Sequence, residues 1–183
     1  MSRLASFLQS TTATALSRIL GVPYIDMDKI MYQPGWVESP PDEFQVRLRE
    51  AMAQGTGRGW VVDGNYVNMG GKIPFEESTD VIWLDPPLAL YLPRIIWRSI
   101  LRMFDMTEQC SPGCHQTFSN SLYIIWRCIT HHWSSRPRYE ARLREFSRVK
   151  GTNTMKRKMQ RIGGWGGQLQ KWLKDVENMT RSK

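Results

Sequence analysis

The sequence predicts an α/β fold, three-layered, with a parallel sheet and a helical lid-like insertion. Three short apolar runs, at 22–25, 60–62 and 80–84, show little of the polar alternation expected of a half-exposed sheet. Each run ends in acid: Asp26 and Asp28, Asp63, and Asp85. The stretches between and after them carry apolar residues at helical spacing, which is the rhythm of strands crossing over through helices.

Residues 12–20 place Ala15, Leu16, Ile19 and Leu20 on one side of a helix, and Gly21 is placed to stop it. A short strand follows at 22–25. Pro40, Pro41, Asp42 and Glu43 open the next helix, with proline and acids where a first turn favours them. Phe44, Leu48, Ala51 and Met52 form its apolar stripe. Gly55, Gly57 and Gly59 make a turn before the strand at 60–62, and the strand at 80–84 ends in Asp85, Pro86 and Pro87. Helices are expected from Ala89 or Pro93 to about Phe104 and from about Ser119 to His132, the continuation of the second broken or kinked at Pro137. Cys110 to Cys114 reads as the turn between them. A weaker strand at 159–162 precedes a glycine-rich turn and a C-terminal helix at 168–176. The pattern fits one domain over 1–183, with about 88–147 as the lid-like region and no internal repeat.

The 183 residues include 41% hydrophobic side chains and eight Trp, a composition that excludes global disorder. No apolar run suits a bilayer span: the best, at 88–104, contains Pro93, Arg94, Arg98 and Arg102. The first twenty residues do not read as a secretory signal, because Gln9, Ser10, Thr11 and Thr12 interrupt the apolar stretch. Three cysteines, an odd number, suit a reduced cytoplasmic protein rather than a disulfide scaffold. The expectation is a cytoplasmic chain without a membrane partner. A net charge of +8 and a pI near 9.7 favour phosphate-bearing partners in general: nucleotides, nucleic acid or an anionic membrane face. A solvated basic surface is the plainer alternative.

Ligands of open parallel sheets sit beyond the carboxyl ends of the strands. Carboxylates gathered there, at Asp26, Asp28, Asp63 and Asp85, can hold Mg²⁺ through its waters or take a proton from an attacking hydroxyl. Each is also a good turn or capping residue. Arg94, Arg98 and Arg102 recur every fourth residue and so share one helix face, where guanidinium groups could meet phosphate or solvent. Cys110, Cys114 and His115, with Cys128, His131 and His132, are metal-ligand residue types, but their spacing matches no common zinc pattern. The aromatic and basic residues from Trp126 to Tyr139 could stack on and neutralise nucleic acid, or form an amphipathic helix packed on its own domain.

Four stretches together resemble a known family. They are Leu20 to Asp28, Gln33-Pro-Gly-Trp36 with Tyr32 before it, Asp63-Gly-Asn-Tyr66 after Trp60, Val61 and Val62, and Val81 to Pro87. They resemble the adenylate-kinase-like P-loop proteins known as DNA topology modulation proteins, in a fungal form, over roughly residues 10–177. The Cys-Ser-Pro-Gly-Cys turn and the Gly163 to Gly167 run are similar to that form too.

The resemblance implies a five-stranded parallel sheet of nucleoside-kinase type with the first strand central. It also implies a glycine-lysine loop ahead of the first helix, and ATP-dependent phosphoryl transfer to a small acceptor, a nucleotide among the candidates, with ATP and Mg²⁺ as cofactors. On this chain it makes Ser10 and Thr11 the remnant of the phosphate loop and Asp28 the group that orients or deprotonates the acceptor. Asp63 becomes a carboxylate on the Mg²⁺ side or one that positions the groups around the site, and Arg94 and Arg98 become lid arginines.

The loop lysine, however, falls on Gln9, and its glycines fall near Ser6 and Leu8. A strand of about five residues and a full loop need more chain than precedes Thr11; Met1 to Phe7 could form a short strand, but then no loop remains. The expectation is therefore a central first strand shortened or missing, a truncated or alternatively started product, and impaired ATP binding. Two other classes follow from the same features. One is a non-catalytic nucleic-acid-binding protein using the basic second half. The other is an interaction protein that self-associates or borrows a strand to complete its sheet.

Overall fold

The computed structural model describes residues 2–7, 10–55, 57–66, 69, 72–146 and 158–181, and for 2–7 the backbone alone. Its main sheet has five strands: β1 (Ser2–Phe7), β2 (Tyr24–Asp26), β5 (Gly59–Asp63), β6 (Asp80–Asp85) and β7 (Met159–Gly163). All are parallel, in the order β2-β5-β1-β6-β7. A hairpin of two short strands, β3 (Tyr32–Gln33) and β4 (Val37–Glu38), stands apart. The helices are α1 (Ser10–Leu20), α2 (Met27–Met31), α3 (Pro41–Ala53), α4 (Ile73–Glu77), α5 (Leu88–Met103), α6 (Phe118–Phe146) and α7 (Gly167–Arg181).

The expected gap in mid-sheet is corrected. β1 is six residues long, matches β6 in length, and lies between β5 and β6, paired to both. The central slot is filled, which removes the reason for borrowing a strand. Ser6, one of the positions where a loop glycine was expected, belongs to this strand, in register with Asp63 and Ile82. Leu8 and Gln9 lie outside the described residues.

Both faces of the sheet are covered, which is why its strands read as continuous apolar runs. On one side Ile25, Phe44, Leu48, Trp60, Val62, Val81 and Trp83 pack together. On the other, Ala13, Leu16, Val22, Val61, Ile82 and Ile162 do so, with Leu169, Trp172 and Leu173 of α7 against them. Every residue of β5 is buried.

Three further differences from expectation have local causes. Asp28 does not end a strand; it lies in α2, which begins immediately after Asp26. α6 runs unbroken through Pro137. Proline withholds one N–H from the helix, but Pro137 is exposed, so water can serve the carbonyl it abandons. Tyr139, Leu143 and Phe146 beyond it are anchored on the core. α7 extends past the expected 176 to Arg181. Among the described residues, no helix is long and apolar enough to cross a membrane.

Candidate functional site at the carboxyl edge of the sheet

Parallel pairing brings the carboxyl ends of all five strands to one edge. Asp26 and Asp63 are register partners there, and Asp63 is in turn the partner of Ser6 on β1. α1 begins at Ser10, just past the end of β1, so its unpaired N–H groups open onto the same edge.

Asp26 is the N-cap of α2, and its Oδ1 accepts from the Asp28 backbone N at 3.0 Å. Burial, and then the neighbouring Asp28, push its carboxyl above the usual range. Asp28 itself points elsewhere. The Tyr66 hydroxyl donates to its Oδ1 at 2.6 Å, and Cys110 Sγ lies 3.7 Å from its Oδ2. Burial, with Asp28 alongside, pushes the Cys110 thiol up to about 12, so it stays a protonated, weak donor. Tyr66 packs in turn against Phe44 and Tyr32, with ring centroids 5.7 and 6.4 Å away.

The positive charge beside this carboxylate comes from Arg102. Burial, and then Arg98, lower its affinity for the proton, while Cys110, Asp28 and Asp26 act the other way. Its Nε donates to the Glu108 backbone O at 3.1 Å. Glu108 pairs in turn with Lys29 of α2 at 2.7 Å. Arg94 and Arg98, the two arginines singled out from the sequence, are exposed. Four-residue spacing identifies the face of α5 but not which turn of it meets the sheet.

A second group lies where β2, β5 and α1 converge. The Tyr24 hydroxyl donates to Asp63 Oδ2 at 3.5 Å, and the Ser10 side chain is a hydrogen-bonding neighbour of the same phenol. Burial, and then Asp63 and Asp26, drive the Tyr24 phenol far above its ordinary value, so it donates rather than ionises. Ser10 and Asp63 are thereby linked through a tyrosine that the sequence reading had passed over. Thr11 is exposed.

Asp85, the third strand-end acid, is already neutralised. Arg136 meets both its carboxylate oxygens, at 3.1 and 3.3 Å, and Arg161 pairs with Oδ2 while stacking on the Trp83 ring at 4.8 Å. A carboxylate held by two guanidinium groups is not poised to bind Mg²⁺. Beside it is a cavity of about 290 Å³, walled by Trp83, Tyr91, Cys128, His132 and Tyr139 among others. Tyr91 Oη and His132 Nδ1 are 2.9 Å apart there.

The cysteine-rich turn has a different part. Gly35 N donates to Gly113 O at 3.0 Å, Ser111 Oγ to Tyr32 O at 2.7 Å, and Trp36 Nε1 to His115 O at 2.9 Å. Cys114, fully buried, reaches Gln33 O at 3.1 Å. The Gln-Pro-Gly-Trp hairpin and the Cys-Ser-Pro-Gly-Cys turn are thus docked on one another, which places Cys110 at Asp28. Cys110, Cys114 and His115 go to separate partners, and among the described residues no group of three or more His, Cys, Asp or Glu could hold a metal ion.

Of the implied cofactors, Mg²⁺ suits the residue type of Asp63, a buried strand-end carboxylate that the Tyr24 phenol and other groups already engage. A nucleoside triphosphate does not fit the head of α1. Ser10 and Thr11 supply hydroxyls there, but the first turn carries no cation, and glutamine stands where lysine would be needed.

No protein-family model, curated protein or solved structure matches this chain.

Proposed function

We propose that the chain is a nucleoside- or nucleotide-kinase-like P-loop protein that retains an acceptor site at Asp28 and is impaired in ATP binding. One observation carries this reading. A carboxylate oriented by Tyr66, close enough to feel the charge of Arg102, stands at the carboxyl edge of a five-stranded parallel sheet whose first strand is central. An acceptor hydroxyl would be oriented by Asp28, and its phosphate, where it has one, would lie near Arg102. The N–H groups heading α1 suit a small anion, with no acid in that turn to repel it. Asp63, held by Tyr24, is the carboxylate on the metal side. Without a loop lysine, affinity for triphosphate falls away, and turnover with it.

Calorimetric titration of nucleosides and nucleoside monophosphates into the wild type and Asp28→Ala tests this. The expected result is binding by at least one acceptor that Asp28→Ala reduces by about tenfold or more, roughly the 1.4 kcal/mol expected for a hydrogen bond to a charged group. No binding by any acceptor would refute the acceptor site. Brisk Mg-ATP turnover lost in Asp28→Ala would refute the impairment.

A further inference from the structure

α5 and α6 pack on one another, yet α5 fully buries only Ser99 and α6 only Ser121. Thirteen large apolar side chains stand exposed among the described residues, and ten of them lie between Ile96 and Trp133. They are ordered, not scattered. On α5 and its C-cap, Ile96, Ile100 and Phe104 recur every fourth residue, with Trp97 beside them at 62% exposure. On α6, Phe118, Leu122 and Trp126 recur every fourth residue, and Trp133 falls on the same side two turns later. An exposed apolar surface of this kind marks an interaction site.

The charge flanking these stripes has one sign. α5 contains Arg94, Arg98 and Arg102 and no acid, while α6 contains Arg127, Arg136 and Arg138 before its first acid, Glu140. Arg94, Arg98, Arg127 and Arg138 are exposed. We propose that the α5–α6 pair docks on an anionic lipid surface. The helices lie in the interfacial plane, the tryptophans and isoleucines enter the acyl boundary, and the arginines meet lipid phosphates. In-plane binding of this kind needs no spanning helix, so the expectation of no membrane partner, which rested on the lack of one, does not bear on it. A second copy of the chain would bring these arginines against their own equivalents. Nucleic acid would use the tryptophans and arginines but gain nothing from Ile96, Ile100 and Leu122, which offer bases no π face.

The test is co-sedimentation of the intact chain with vesicles of zwitterionic lipid alone and of the same lipid with about a third phosphatidylserine. Tryptophan emission is read in parallel. The expected result is sedimentation with the anionic vesicles and a blue shift on binding. Trp97→Glu/Trp126→Glu should abolish both. Arg127→Glu/Arg138→Glu should weaken binding by at least about tenfold, at roughly 1 kcal/mol per cation near the surface. All four residues are exposed, and unchanged unfolding midpoints would show that the variants fold. If the tryptophan pair does not fold, the arginine pair carries the comparison. Failure to sediment with anionic vesicles overturns the proposal. So does a dimer that the tryptophan variants dissociate, or binding to single-stranded oligonucleotide with none to lipid. None of these outcomes touches Asp28, so the acceptor site stands or falls separately.

Discussion

Asp26 and Asp28 are two residues apart, and the beginning of α2 between them sends their side chains to different ends. Asp26 closes the helix terminus with a backbone hydrogen bond, whereas Asp28 meets Tyr66 and Cys110. Tyr66→Phe should leave the ring packed on Phe44 and remove only the hydroxyl. The expected cost is about 1.5 kcal/mol, the lower end for a hydrogen bond to a charged group, read as a fall of about 3–6 °C in Tm. Asp26 makes a pH prediction. Its carboxyl binds a proton more tightly folded than unfolded, so its contribution to stability is greatest in acid and declines as pH rises through its raised pKa. Asp26→Asn keeps a capping oxygen and removes the buried charge. It should raise Tm at neutral pH and flatten the decline, which unfolding scans across the acidic range would measure. The acids at strand ends were legible in the sequence because acid after an apolar run is a local signal. Tyr24, Tyr66, Cys110 and Arg102 were not singled out for this site, because their roles depend on which distant segments meet.

The hairpin at 32–38 and the turn at 110–114 show how short motifs acquire meaning only in pairs. Each could be read as a turn by composition, but their docking spans some eighty residues of chain and left no periodic trace in either. Trp36 stands at φ +64°, an unusual conformation for so large a residue, and its indole N–H is tied to the His115 carbonyl. Gly113 stands at φ +74°, and a Cβ there would lie 2.8 Å from Pro34 Cβ. Gly113→Ala should therefore cost about 2 kcal/mol in strain and loosen Cys110 from Asp28. Denaturant unfolding would show a lower midpoint with an unchanged slope. α6 carries the converse lesson. Local rules end a helix near Pro137, but contacts from Arg136, Tyr139, Leu143 and Phe146 hold the helix on both sides of it.

On the scale of the molecule, crossover periodicity and burial read correctly from the sequence: four of the five strands were bounded to within a residue or two, and the parallel arrangement followed from the unbroken apolar character of three of them. The central strand was only half legible: Met1 to Phe7 could be read as a short strand, yet the position was expected to be shortened or missing. Residues 2–7 contain Ser2, Arg3, Ala5 and Ser6, a pattern too polar to announce the middle of a buried sheet. It is a strand because β5 and β6 offer edges on both sides of it. Filling that position completes the sheet and restores the carboxyl edge on which Asp28 and Asp63 stand, yet β1 ends at Phe7 and α1 begins at Ser10, too close for a full phosphate loop. A finished sheet without a lysine loop is the central claim, and thermal unfolding of the intact chain with and without millimolar Mg-ATP tests it most directly. The account predicts one cooperative transition whose midpoint Mg-ATP leaves in place, because only a ligand that binds the folded state raises it. A clear rise with Mg-ATP, or the lack of any cooperative transition, would contradict it.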